Sequence, residues 1–347
     1  MRQSWLFVLS AWTFITSASM GAAHIPVEGQ PRRIPPDLLK RFAADGDGKL
    51  SPAEGAKLRE ALPRRPGANP GRPPRPGHQR LPEAMNVQRD LAYGPGGPRH
   101  TLDLYVPEKS DKPLPLAIWI HGGAWAAGSK ENCRALPLLE HGSAVASINY
   151  RLTDTAQFPA HIEDCKAAVR FLRKQAAQYR LDPAHFGVWG SSAGGHLGAL
   201  LGTSGDVKAL EGDVGEYDDV SSRVQAVCDW FGPTDLSKMG GSHDAASSPE
   251  SKLVGGLVQE RRDQVAAANP ITHVTKDDPP FLIMHGTRDP AVPFNQSELL
   301  EAALHQTGVE STLVPLDGAG HGGGEFEAPD TQSMIREFFD QHLKSSP

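Results

Sequence analysis

Nine residues, Val188-Trp189-Gly190-Ser191-Ser192-Ala193-Gly194-Gly195-His196, restrict the fold of this chain more than any other feature. A short apolar run from His185 to Trp189 meets Gly-x-Ser-x-Gly, and a helix of small residues, Ala193 to Leu201, follows at once. Strand, turn and helix in that order are the setting in which a nucleophile elbow forms. A serine on so tight a turn needs flanks without side-chain bulk, here Gly190 and Gly194, so that the hydroxyl stands clear. The turn also aims the first amides of the helix at the point where a negative oxygen would develop. Ser192 occupies the apex, and Ser191 is expected to support the turn with its hydroxyl. Taken alone, the pentapeptide is equally compatible with a glycine-rich strand–helix turn that carries no chemistry.

A serine hydroxyl is a poor nucleophile until a histidine takes its proton, and that histidine needs a carboxylate to fix its tautomer. Downstream, Pro280 to Gly286 reads as a buried strand, and Asp289 lies in the turn just past its end. Ligands and catalytic groups gather at such strand ends in open α/β sheets. Ser311 to Leu316 reads as the last strand, followed by His321 on a loop of glycines that can lay an imidazole over the serine. Asp235 in Gly232-Pro233-Thr234-Asp235 is a rival acid, but it is better placed to cap the helix beginning near Leu236. Upstream, the strand Leu116–His121 runs into Gly122-Gly123-Ala124-Trp125. A turn of this kind offers backbone amides to an oxyanion. The candidate donors are Gly123 and Ala124, with Ala193 on the elbow side; each is worth ~3 kcal/mol of barrier stabilisation. His121 is expected to be structural, and Trp125 either lines the substrate pocket or belongs to the core.

From about Val87 onward the chain resembles the α/β-hydrolase superfamily. Within it, the chain is similar to bifunctional feruloyl and acetyl-xylan esterases, near the hormone-sensitive-lipase-like esterases. The stretches that carry the resemblance are His121–Trp125, Asn149-Tyr150-Arg151-Leu152, Phe158–Asp164, Gly187–Leu201, Asn269-Pro270-Ile271, His285–Pro293 and Gly318–Gly323. The resemblance implies Ser192 as nucleophile, Asp289 as acid and His321 as base. Ala124 stands where the lipase-like esterases carry a third glycine, which separates this chain's oxyanion turn from theirs.

Alternating strands and helices predict an α/β domain over 83–347, with a mostly parallel eight-stranded sheet and helices on both faces. Strands are expected at Val87–Tyr93, Thr101–Val106, Leu116–His121, Ala144–Asn149, Phe186–Trp189, Val224–Trp230, Phe281–His285 and Thr312–Leu316, the first two antiparallel. Ala160 to Tyr179 has helical periodicity with Ile162, Val169, Phe171 and Leu172 inward. Leu236 to Ala268 is polar and irregular, a cap or rim over the site. Cys133, Cys165 and Cys228 are expected to be buried as small hydrophobes.

Residues 1–23 have a charged start, a short apolar core and a small-residue end, which reads as a secretory signal peptide and predicts export to periplasm or beyond. The run is too short for a stable membrane span, which needs ~20 apolar residues. Residues 34–62 resemble an EF-hand, adding a small helical appendage to the fold. With Gly48 at the sixth loop position, Asp45, Asp47 and Glu54 fall on ligand positions, while Ala43 occupies the first. The expectation is a vestigial or weak calcium site. Residues 63–82 hold seven prolines, five arginines and no acid, a semi-rigid linker. The net charge of −6 and the lack of a basic stripe with interleaved aromatics argue against a nucleic-acid partner.

These features predict an exported serine esterase acting on small acetyl or feruloyl-type esters, plausibly on polysaccharide, without a catalytic cofactor. An arylformamidase or a peptidase of the same fold is the enzymatic alternative. A catalytically silent adhesion module is the non-enzymatic one, although such scaffolds typically lose a member of the Ser-Asp-His set.

Overall fold

The computed structural model describes residues 84–344 except 109 and 111. The signal-peptide, EF-hand-like and linker segments, with Asp45, Asp47 and Glu54, lie outside the described residues. One sheet organises the rest, in the order β1-β2-β4-β3-β5-β6-β7-β8. Its strands are β1 (Met85–Ala92), β2 (Thr101–Pro107), β3 (Leu114–Ile120), β4 (Ala144–Ile148), β5 (Leu181–Ser191), β6 (Ala226–Trp230), β7 (Phe281–Gly286) and β8 (Ser311–Leu316). β2 runs antiparallel to both β1 and β4, and every pairing from β4 onward is parallel. The eight expected strands are all present; β5 is the one most underestimated, since it begins at Leu181.

The alternation of side chains along each strand divides the core into two layers. Leu116, Ile118 and Ile120 of β3 face a layer completed by Ile162, Val169 and Leu172 of α1 (Ala160–Lys174). Leu197 and Leu200 of α3 (Ala193–Thr203) and Leu300 and Leu304 of α6 (Asn295–Thr307) join the same layer. Ala117 and Trp119, between those β3 residues, face the other side, where Trp189, Trp230 and Met284 meet Ile335 and Phe339 of α7 (Pro329–Leu343). Trp119, Trp189 and Trp230 meet edge to face, an arrangement favoured by the ring quadrupoles. The predicted Ala160–Tyr179 helix is two: α1 ends at Lys174, and α2 (Ala176–Tyr179) follows a break at Gln175. Phe171 packs only partly buried at the edge of the first layer.

The Leu236–Ala268 segment is irregular, as expected, but it contributes to the core. It forms short 3-10 turns, α4 (Pro249–Val254) and α5 (Arg262–Ala268), and it buries Leu236, Met239, Leu253, Val258 and Val265. All three cysteines are buried and unpaired. Among the described residues no helix is long and apolar enough to cross a membrane.

Candidate active site

β3 and β5 are hydrogen-bonded neighbours, so the glycine turn after β3 and the elbow after β5 emerge side by side at the carboxyl ends of the strands. Ser192 joins β5 to α3 with φ +56° and ψ −123°, a conformation that costs a side-chain-bearing residue about 1–3 kcal/mol. The surroundings hold it there: its N–H donates to the Trp230 carbonyl at 2.8 Å, and its own carbonyl accepts from His196 N at 2.9 Å. A Cβ on Gly190 would collide with the Gly194 carbonyl, and one on Gly194 with the Ile120 carbonyl, so both flanks must be glycine. Ser191 lines the same cavity, but its hydroxyl makes no hydrogen bond among the described residues. The turn is therefore held by backbone, and the expected support from Ser191 is absent.

Ser192 Oγ–H donates to His321 Nε2 at 2.9 Å, and His321 Nδ1–H donates to Asp289 Oδ2 at 2.7 Å. Asp289 comes from the turn after β7 and His321 from the glycine loop after β8. The carboxylate is fully buried, while the imidazole keeps 27% of its side-chain surface. Burial alone would raise the Asp289 carboxyl. Hydrogen bonds from His285, His321 and the Val292 and Ala291 amides overcome it and hold the group well below the usual carboxylate range. Asp235 is elsewhere. It caps the 3-10 turn Leu236–Lys238 by accepting from Ser237 N, and it pairs with Lys238 at 3.0 Å.

Across the cavity, Gly123, Ala124 and Trp125 all take positive φ (+119°, +54° and +55°). The amides of Gly123, Ala124 and Ala193 have no acceptor among the described residues, and all three residues line the cavity with Ser192. His121 anchors this turn. Burial pushes its pKa down to about 4, so it stays neutral, stacked on Tyr150, whose hydroxyl donates to the His121 carbonyl at 2.9 Å. Trp125 turns out to be both core and wall: it is 2% exposed, yet it borders the cavity. Its Nε1–H donates to His196 Nδ1 at 3.2 Å, and His196 Nε2–H donates to the Ala268 carbonyl at 2.8 Å. That chain ties the oxyanion-side turn to the elbow helix and to the rim segment.

His285 and Phe231 are among the residues of the site not singled out from sequence. His285, buried in β7, shares its Nε2–H between the Val292 carbonyl at 3.0 Å and Asp289 Oδ2 at 3.4 Å. Its Nδ1 accepts from Ser297 Oγ–H at 2.7 Å. Phe231 takes φ +44° and lays its ring 4.5 Å from the His321 ring, between centroids. The spacing of four residues between His285 and Asp289 was a usable signal for the first; nothing local marks the second. Ser192, His321 and Phe231 line a cavity of about 660 Å³, together with Arg134, His243, Glu250 and Glu327. Chemically, the arrangement can activate a hydroxyl, transfer its proton and receive an oxyanion on preoriented amides.

The chain is similar to known proteins. Esterase LipQ of Mycobacterium tuberculosis is 33% identical over 240 residues, covering 67% of this chain and 56% of that protein. The chain spans about half the length of the curated relatives it matches. Among solved structures, a truncated form of a carbohydrate esterase from gut microbiota superposes with a TM-score of 0.71 at 35% identity, covering 76% of this chain and 99% of that one. An acetyl ester-xyloside bifunctional hydrolase from Caldicellulosiruptor lactoaceticus gives 0.60 at 26% identity, covering 70% and 87%. The sheet and these likenesses are those of the α/β-hydrolase fold. The BD-FAE family model matches residues 102–304, from β2 through most of α6 and so across the elbow and Asp289, and the chain belongs to that family.

Proposed function

We propose that this chain is an exported serine esterase that removes small acyl groups, of acetyl or feruloyl type, from carboxylic esters on polysaccharide. The observation that carries the reading is the line Ser192–His321–Asp289 facing unpaired amides across one cavity. Ser192 Oγ attacks the ester carbonyl as His321 Nε2 takes its proton. The Gly123, Ala124 and Ala193 amides hold the tetrahedral oxyanion. His321 then protonates the departing alcohol, leaving the acyl group on Ser192. Water enters, gives its proton to His321 and attacks the acyl-enzyme; the acid departs as the proton returns to Ser192. Asp289 remains ionised throughout, keeping Nε2 of His321 as the acceptor and stabilising the imidazolium. These steps use protein groups and water only, and any calcium held weakly by Asp45, Asp47 and Glu54 is structural in this reading.

The polysaccharide part is supported by the carbohydrate esterase and acetyl ester-xyloside hydrolase among the structural neighbours. It is tested by release of acetate and ferulate from acylated xylan oligomers. The expected result is release by wild type that falls by about 10³-fold or more in Ser192→Ala. Turnover by Ser192→Ala near wild type overturns the mechanism. Turnover of aryl acetates alone removes the polysaccharide and leaves an esterase.

A further inference from the structure

The cavity has a second histidine–carboxylate pair that the scheme above does not use. His243 lies in the 3-10 turn Gly241–Asp244, and Glu250 is the second residue of α4; both line the cavity that contains Ser192 and His321. His243 Nδ1 is 3.0 Å from Glu250 Oε1. The Glu250 side chain is 4% exposed, and its other oxygen, Oε2, is shielded from solvent with no hydrogen-bond partner among the described residues. The His243 ring keeps 19% of its surface.

The Glu250 carboxylate accepts from Nδ1–H of His243, which leaves Nε2 for a ligand. A hydroxyl suits that nitrogen in either ring state, since it can donate or accept. A second polar pair borders the same space, Arg134 to Glu327 at 2.9 Å, each about half exposed. Polar pairs therefore line the same cavity as Trp230, Phe231, Val292 and Phe326. An alkyl or prenyl group would leave Nε2 of His243 desolvated without a partner, which is costly. A polyhydroxylated alcohol supplies a hydroxyl to that nitrogen.

Resting on the esterase reading, we propose that His243 and Glu250 form the subsite for the alcohol half of the substrate, taking a hydroxyl of the sugar ring beside the acylated one. Recognition of that hydroxyl separates sugar esters from simple esters of the same acid.

The test compares kcat/KM for acetylated xylobiose with that for 4-nitrophenyl acetate in wild type, His243→Ala, His243→Gln and Glu250→Gln. Loss of one such hydrogen bond corresponds to about a tenfold fall in the ratio of the two constants for His243→Ala. Glu250→Gln, nearly isosteric, shifts the ratio in the same direction, and His243→Gln recovers part of it. A ratio that does not move in His243→Ala, while wild type cleaves both esters, overturns the subsite and leaves the esterase standing. Wild type that cleaves only the aryl ester also overturns the subsite. Wild type that cleaves neither overturns the esterase reading itself.

Discussion

Asp289 meets four N–H groups: Ala291 at 2.7 Å and Val292 at 2.9 Å on one oxygen, and His321 at 2.7 Å and His285 at 3.4 Å on the other. The two amides fix the carboxylate, and the two imidazoles compete for its second oxygen. Because these bonds hold the group well below the usual carboxylate range, the acid limb of activity is expected to follow protonation of another group than Asp289, as a pH–rate profile would show. Asp289→Asn keeps the shape but allows the wrong His321 tautomer, and kcat is expected to fall by about 10⁴-fold. His285 acts through Asp289 and is a positioning residue. In His285→Leu the carboxylate loses one restraint, so kcat should fall roughly 10- to 100-fold with KM little changed, measured by steady-state kinetics on an aryl acetate. A rise in KM at constant kcat would instead place His285 in substrate binding.

At the scale of elements, the elbow shows how sequence becomes site. Gly190 and Gly194 were legible because a tight turn under a serine forbids side chains, and the structure names the carbonyls that would be struck. The boundaries of β5 and the break at Gln175 were not legible. β5 gains its early start by pairing Leu181 with Leu114, a contact that no local pattern encodes. Asp235 was assigned as a cap on local grounds, and there it accepts from Ser237 N and Oγ and from Asn269 Nδ2. Asp235→Ala should therefore cost about 1–2 kcal/mol in urea-unfolding free energy while kcat stays within a few-fold of wild type. A collapse of kcat with unchanged stability would reinstate Asp235 as the acid.

Across the whole molecule, buried titratable groups link the fold to pH. Burial pushes His121, His161 and His196 each down to about 4, and it raises Asp229 and Asp278 to about 6. For the histidines, the unfolded chain binds protons below about pH 6.5 that the folded chain refuses until about 4, so their contribution is full above 6.5 and declines toward 4. The two aspartates act in the opposite sense, because the folded chain takes their protons near pH 6, before the unfolded chain does. His161 separates the terms: it is fully buried, and neither ring nitrogen has a partner among the described residues. His161→Leu is expected to raise the urea midpoint more at pH 5 than at pH 8. An equal change at both would show that His161 does not titrate on unfolding.

The sequence by itself determined what acts within a few residues or with a fixed period. The elbow, the strand alternation that separates Ile118 from Trp119, and the order in which Ser192, Asp289 and His321 follow strands are of this kind. Steric limits and backbone periodicity operate along the chain and leave a readable trace. The tertiary structure alone decided which strand ends become neighbours: β3 beside β5 sets the amides against the serine, and β7 beside β8 brings His321 onto Asp289. It also decided that His285, Phe231 and the His243–Glu250 pair share this site. For Phe231 and the His243–Glu250 pair, the placement beside Ser192 and His321 comes from contacts between distant segments; only His285, four residues before Asp289, left a local trace.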